Sequence, residues 1–321
     1  MTVPGELLQF IKEGSKFIIA GHMEPDGDCV GSQLALVSVL RRMGKEATPC
    51  TAGPFKRTEV KSYERFFTLT PCDETIKAGA RVIIVDCSTV DRLGDLRPFL
   101  EGLTVAFIDH HGTGKRPEEK LAYVDAKALS TTFMVLKVIT ALGLELLPRE
   151  AELLFFGLCT DTGFFRHVDT EGAEAFEAAT ALIRAGANPK AAFHAMHGGK
   201  SLASRKLIGH ILLRAEPFFN GKLILSSEEY EETCRFGLEG RDSDILYQLL
   251  QSVEGVQAMV IIRQESPEHC TVGFRSRDSV DVGSIAQSFG GGGHKNAAGL
   301  YITGTIAELK PKIIKVFENV F

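Results

Sequence analysis

Three short stretches, Phe17–Ala20, Arg81–Val85 and Thr104–Ile108, are apolar almost throughout and rich in β-branched residues. Strands that read this way are buried on both faces, as in a parallel sheet covered by helices. Each run then breaks into polar chemistry. His22, Asp26 and Asp28 follow the first, Asp86 the second, and Asp109-His110-His111 the third. Side chains launched from the ends of several strands build a site at the carboxyl edge of an α/β sheet. Packing does not ask for three metal- or proton-competent groups in a row.

Helical patterns separate these strands. Val30, Leu34, Val37 and Leu40 recur at three- and four-residue steps, which predicts a helix from Val30 to Met43 closed by Gly44. Ala47–Cys50 reads as a short strand, and Thr131–Ala141, Glu150–Cys159 and Glu171–Ala185 as helices. Gly186-Ala187-Asn188-Pro189 is a stop signal, and Lys190–Ser204, with Gly198-Gly199, reads as a connector. Beyond it the pattern changes. Lys222–Ser226, Ala258–Arg263, Cys270–Arg275 and Gly299–Ile302 are expected strands, with helices at Ser243–Ser252 and Gly283–Phe289. A chain of 321 residues exceeds one typical core. The expected fold class is α/β: a mainly parallel sheet flanked by helices over 1–188, a connector over 189–215, and a smaller α+β domain over 216–321.

A net charge of −5 gives no global attraction for a long nucleic acid, so a nucleic-acid substrate is expected to be small or held locally. The 7 cysteines form no CxxC pair and are odd in number, which favours a reducing cytoplasm over a disulfide framework. Cys29, Cys87 and Cys159 neighbour the polar motifs but read as small buried hydrophobes. No leader and no membrane-spanning run is apparent, so no membrane association is expected. No obligate protein partner is evident either, and a homodimer is left open.

The loop Gly21-His22-Met23-Glu24-Pro25-Asp26-Gly27-Asp28 holds one imidazole and three carboxylates. Capping the next helix accounts for one Asp, not for His22, Asp26 and Asp28 together. Asp86 ends a central strand, where a carboxylate can bridge two cations. Asp161 follows an apolar helix in Thr160-Asp161-Thr162-Gly163, where a helix-terminal turn is the plainer reading. His22, Asp26, Asp28, Asp86, His110 and Asp161 together make the ligand set of two metal sites, one residue bridging, as in two-metal hydrolases. Carboxylate and imidazole without thiolate suits manganese, magnesium, iron or zinc.

These residues resemble the DHH phosphoesterases. Asp109-His110-His111 is similar to the name-giving motif, and His22-X-X-X-Asp26-X-Asp28, Asp86 and Asp161 match the other metal motifs in order. Gly290-Gly291-Gly292-Gly293-His294-Lys295-Asn296-Ala297-Ala298-Gly299 resembles the glycine-rich signature of the DHH-associated C-terminal domain. The likeness spans essentially the whole chain and lies nearest the nanoRNase/pAp phosphatase group. That group degrades very short RNA to mononucleotides and dephosphorylates 3′-phosphoadenosine 5′-phosphate (pAp). The resemblance implies that His22, Asp26 and Asp86 hold one cation and that Asp28, Asp86, His110 and Asp161 hold the other. Manganese is the family's usual ion, with magnesium, cobalt or iron as alternatives. Asp86 and His111 become the catalytic pair, His111 facing the substrate phosphate, with Asp109 orienting a histidine.

The glycines before His294 let backbone approach a ligand closely, which suits a phosphate or terminal nucleotide. With the resemblance, Arg275, Gly292, Gly293 and His294 become contacts for the far end of a short substrate, alongside His111. The alternatives are a phosphodiesterase for linear or cyclic dinucleotides (pApA, c-di-AMP), an inorganic pyrophosphatase, and a non-catalytic nucleotide sensor. The GGGGH segment argues against the pyrophosphatase and the filled ligand set against the sensor. Arg166 and His167 read equally as structural or as contacts to a base or phosphate, Phe164 and Phe165 as core aromatics, and Phe218-Phe219 as a hairpin-like turn.

Overall fold

A computed structural model of the chain describes residues 2–69, 77–111, 121–237, 241–277 and 280–321, so Cys72 lies outside the described residues. The apolar runs are strands, and they pair in parallel. In chain order these are β1 (Lys16–Ala20), β2 (Glu46–Thr51), β3 (Thr68–Leu69), β4 (Arg81–Val85), β5 (Val105–Asp109) and β6 (Ala122–Val124). They form a sheet of order β3-β2-β1-β4-β5-β6, parallel at every pairing.

Alternate residues serve opposite faces, and both faces are covered. Ile19, Ile83 and Ile108 join the core under the helices Gly27–Arg42 and Pro148–Asp161, while Ile18, Ile84 and Phe107 pack with Leu93 and Leu96 on the other side. This double burial is why the strands read as continuous apolar runs. The order reverses at β1, with β2 on one side and β4 on the other. Segments leaving β1 and β4 diverge there and open a crevice at the carboxyl ends of the strands.

Two helices bring the rest of the crevice together. Gly27–Arg42 is capped by the Asp26 side chain, which accepts from Cys29 N at 3.1 Å. It packs closely on Pro148–Asp161. A Cβ on Gly157 would meet Asp28 Cα at 3.0 Å and Thr132 Cγ2 at 2.4 Å, so only glycine lets the second helix approach this near. Glu150, fully buried at its start, accepts from Arg42 Nε at 3.0 Å and Ser38 Oγ at 2.7 Å.

The segment expected as a connector is largely helical, and the boundary between the two compact units falls inside it. Pro189–His197 and Leu202–Leu213 are helices, and the chain divides into compact units 1–199 and 200–321. The reason lies in Asn188-Pro189. Asn188 accepts from Ala191 N at 3.1 Å as an N-cap, and Pro189 takes the first helical position, so the stop signal is also a start.

The second unit has its own sheet: β7 (Glu216–Phe218), β8 (Leu223–Glu228), β9 (Ala258–Ser266), β10 (His269–Ser276), β11 (Gly292–His294) and β12 (Ala297–Thr303). Its order is β11-β12-β10-β9-β8-β7, antiparallel except at β8–β9. Phe219, Asn220 and Gly221, all at positive φ, turn the β7–β8 hairpin. Part of the glycine-rich segment departs from expectation, since Gly292–His294 is an edge strand paired with β12. Among the described residues no helix is long and apolar enough to cross a membrane.

Candidate metal centre

The loop after β1 delivers His22, which is 4% exposed. Its Nδ1 lies 2.8 Å from the Met23 carbonyl oxygen, which can only accept, so Nδ1 carries a proton. In the neutral ring Nε2 then presents a lone pair. That lone pair faces Asp86 Oδ2 at 3.3 Å and Asp26 Oδ1 at 3.9 Å. His110 repeats the arrangement. Nδ1 is 3.3 Å from the Ala128 carbonyl oxygen, and Nε2 is 2.9 Å from Asp161 Oδ2, 3.7 Å from Asp86 Oδ1 and 3.9 Å from Asp28 Oδ2. Acceptors aimed at acceptors need a proton or a cation between them. An imidazole with Nδ1–H on a carbonyl and Nε2 toward carboxylates is oriented as a metal ligand.

Asp86 stands between the two imidazoles. It is 1% exposed and held at φ 62, a left-handed conformation unusual for a non-glycine residue. One carboxylate oxygen faces His22 and the other His110, while Thr131 Oγ1 donates to Oδ1 at 2.9 Å. Asp28, fully buried in the first turn of Gly27–Arg42, faces the N-terminus of the helix Thr131–Ala141. It accepts from Thr131 N at 2.5 Å, Thr132 N at 2.8 Å and Thr132 Oγ1 at 2.6 Å. Asp161 is the last residue of its helix rather than part of the following turn.

Crowding sets the electrostatics. Burial, then the carboxylates Asp28, Asp26 and Asp161, push the Asp86 carboxyl well above its usual range. Burial and Asp161 push Asp28 up to about 6. Burial pulls against the His110 cation, but Asp161, Asp28 and Asp86 outweigh it and raise the ring to about 10. A cluster that holds protons this tightly has more negative charge than its own side chains neutralise. Divalent cations fit it by donor type and by charge.

His111 is the more open histidine, with 35% of its side chain exposed against 17% for His110. Asp109 Oδ1 accepts from His111 Nδ1 at 2.7 Å and from its backbone N at 3.2 Å, which fixes the ring. Burial raises the Asp109 carboxyl, but the His111 contacts win and hold it below its ordinary value.

Arg275, Gly292, Gly293 and His294 belong to the second unit. Arg275 stands opposite Ala297, and Ala297 opposite His294, so these side chains share one sheet face with Gly292. Gly293 faces the other way at φ 148, and a Cβ there would lie 2.5 Å from the Ala297 carbonyl oxygen.

Residues 16–158 match the DHH family, N-terminal domain, and residues 221–321 match the DHHA1 domain. Over 311 residues the sequence is 31% identical to a protein of Thermus thermophilus named "Bifunctional oligoribonuclease and PAP phosphatase NrnA", covering 95% of this chain and 89% of that one. The chain belongs to the DHH family. As a DHH phosphoesterase it is a metal-dependent hydrolase. A crystal structure of an exopolyphosphatase-related protein from Bacteroides fragilis shares the DHH fold, with a TM-score of 0.82 at 20% identity over 98% of this chain and 96% of that one. A structure of the exonuclease RecJ bound to manganese also shares the fold, with a TM-score of 0.54 at 20% identity over 98% and 94%.

Two contributors to the DHH site escape the sequence analysis. Thr131 and Thr132 fix Asp28 and Asp86, and their only signal was Ser130-Thr131-Thr132 as an N-cap run. Cys29, a small buried residue as expected, also puts its Sγ within 4.8 Å of ligand atoms of His22 and Asp86. Burial and Asp86 push that thiol well up, so it keeps its proton.

Proposed function

We propose that this protein hydrolyses very short single-stranded RNA to mononucleotides and removes a phosphate from pAp, with two divalent cations. The observation that carries the reading is the similarity to the Thermus thermophilus protein along almost the full length of both chains. The crowding of four carboxylates around the Nε2 atoms of His22 and His110 supports the metal requirement.

In this reading His22, Asp26 and Asp86 would hold one cation and Asp28, Asp86, His110 and Asp161 the other, with Asp86 shared. Manganese is the ion we assign. Bound cations would neutralise the phosphate and lower the pKa of an attacking water. The rest belongs to side chains. Met23 and Ala128 carbonyls lock the tautomers of His22 and His110, and Thr131 and Thr132 hold the carboxylates in place. His111, oriented by Asp109, donates to the phosphate or protonates the leaving oxygen. Arg275, Gly292, Gly293 and His294 contact the far end of the substrate. The lack of a disulfide framework among the described cysteines supports a cytoplasmic site of action.

The test is parallel incubation with manganese and end-labelled RNA from two to about twenty nucleotides, pAp, pApA, cyclic di-AMP and pyrophosphate. Mononucleotides from the shortest RNAs together with phosphate from pAp are expected. Activity confined to pyrophosphate or the cyclic dinucleotide would overturn the substrate assignment and leave the metal centre standing.

A further inference from the structure

One face of the second sheet carries a strip without side chains. Gly273 of β10 stands opposite Gly299 of β12, and Gly299 opposite Gly292 of β11, so all three present the same face. At Gly273 the space is filled. A Cβ there would lie 2.3 Å from the Tyr247 hydroxyl oxygen and 3.7 Å from Arg263 Nη1. At Gly299 only the Val272 carbonyl oxygen comes near, at 3.3 Å, and at Gly292 nothing described lies within 4 Å. The strip thus runs from a filled inner end to an open edge.

The inner end is a cluster of donors. Tyr247 is 6% exposed, yet its hydroxyl has no hydrogen-bond partner among the described residues. A buried, unpaired phenol is costly to fold and wants an explanation. Arg263 comes near enough to pull on the phenol but does not satisfy it. That guanidinium uses Nε on Glu228 and Nη2 on Ser243, which leaves Nη1 toward Gly273. Arg275 lies over the Tyr247 ring, 4.8 Å from its centroid, and donates Nη1 to the Phe274 carbonyl. Glu228 and Glu265 are already engaged by Arg241 and Arg263, so Arg275 is the guanidinium in excess. Burial raises the phenol against the pull of Arg263 and Arg275, so the hydroxyl keeps its proton and can donate.

Donors at one end and bare backbone beyond fit a ligand with an anionic head and a flat body. Building on the short-RNA reading, we propose that Tyr247 and Arg263 help set substrate specificity, seating a phosphoryl group of the terminal nucleotide with Arg275 while its base lies on Gly299 and Gly292. Arg275, drawn from the ring onto the phosphate, uncovers the phenol beneath it. Tyr301 bounds the strip. It is 64% exposed, lies two residues beyond Gly299 on the same face, and is stacked on His269 at an interplanar angle of 10°.

Tyr247→Phe removes the hydroxyl and keeps the ring under Arg275. In the manganese-loaded full-length protein, the KM for pApA and the inhibition constant of AMP should each rise about ten- to hundredfold, the range of one hydrogen bond to a charged group. The kcat should stay within about twofold. Gly299→Val, which fills the strip without touching the phenol, should weaken AMP to a similar degree. Parental constants in Tyr247→Phe would overturn the proposal, and so would a fall in kcat at unchanged KM. Calorimetric titration of AMP into the parent and Tyr247→Phe judges the seat independently of turnover. A parent that binds AMP through Tyr247 but cuts neither RNA nor pAp would sink the substrate reading and leave the seat intact.

Discussion

Two buried charged clusters, one in each unit, are built on opposite terms. In the second unit Glu228 is fully buried and accepts from Arg241 Nε at 2.9 Å and Arg263 Nε at 3.1 Å. Glu265 faces Arg241 Nη1 at 2.9 Å and Nη2 at 3.1 Å, and Glu232 pairs with Arg214. Each of these carboxylates has its guanidinium. In the first unit Asp26, Asp28, Asp86 and Asp161 share His22 and His110, whose Nε2 atoms are the partners of opposite potential charge set among the four carboxylates. The matched cluster is complete and ties β8 and β9 to the helix Tyr230–Phe236 and to the loop at Arg241. The unmatched one is completed only by added positive charge. Burial of charge alone does not mark a functional site; an uneven balance of donors and acceptors does.

Asp86→Asn offers the largest effect and the sharpest attack on that contrast. Asparagine tolerates the left-handed backbone at this position, so the fold should survive. Losing an outer partner of a metal ligand typically costs 10–100-fold, so loss of the shared carboxylate should lower turnover of pAp more than about a hundredfold. Bound manganese, measured by equilibrium dialysis and elemental analysis, should fall with it. The chelated variant should melt higher than the chelated parent, because a crowded carboxylate has gone. Near-parental turnover with full metal content would break the comparison.

Glu228→Gln probes the other side. It leaves Arg263 and Arg241 buried with less compensation, and removing one partner of a buried pair costs about 3–5 kcal/mol. Urea unfolding should read that loss while manganese content stays parental. Added manganese gives the next effect in size. At a hundred times its Kd it should stabilise the parent by about 2.7 kcal/mol, and Glu228→Gln equally, but leave Asp86→Asn unmoved.

How much of this was legible depended on whether a residue's role is local. The strands β1, β4 and β5 and the polar residues at their ends could be read directly, because double burial writes a continuous apolar run. The helix Thr131–Ala141 has the bounds its sequence predicts. The helix Pro189–His197 did not, because Asn-Pro ends one helix and begins another with the same letters. Glycines carry little strand preference, so β11 depends on its partner β12 and not on its own sequence. The C-terminal helix Ile306–Phe317 has a capping box in Thr305 and Glu308, but Pro311 inside it argues the other way. In the site, His22, Asp86 and His110 announced themselves at strand ends. Thr131 and Thr132 serve Asp28 across about a hundred residues of chain, and no local pattern encodes that contact.

The last contrast is in the sign of the pH response, and it has the smallest expected size. Asp28 is raised to about 6 from an unfolded value near 3.9, and His110 to about 10 from near 6.5. In both, the folded form holds its proton more tightly than the unfolded chain. Their stabilisation is therefore complete below the unfolded values and is lost as pH rises, through the Asp28 window and then the His110 window. Burial opposes the Glu232 and Glu265 carboxylates, but Arg214 and Arg241 win and hold both below their ordinary values. Their contribution is present above about 4.3 and is lost only as pH falls beneath it. Hydrogen exchange on the chelated full-length protein, read peptide by peptide and corrected for intrinsic rates, resolves the two units. Between about pH 5 and pH 9 protection in the first unit should fall while that in the second stays level. Manganese should flatten the first slope, because a cation replaces the proton that the crowded carboxylates otherwise retain. A first unit whose protection rises with pH in the absence of metal would mean that its carboxylates are not crowded, and the contrast between the clusters would fail.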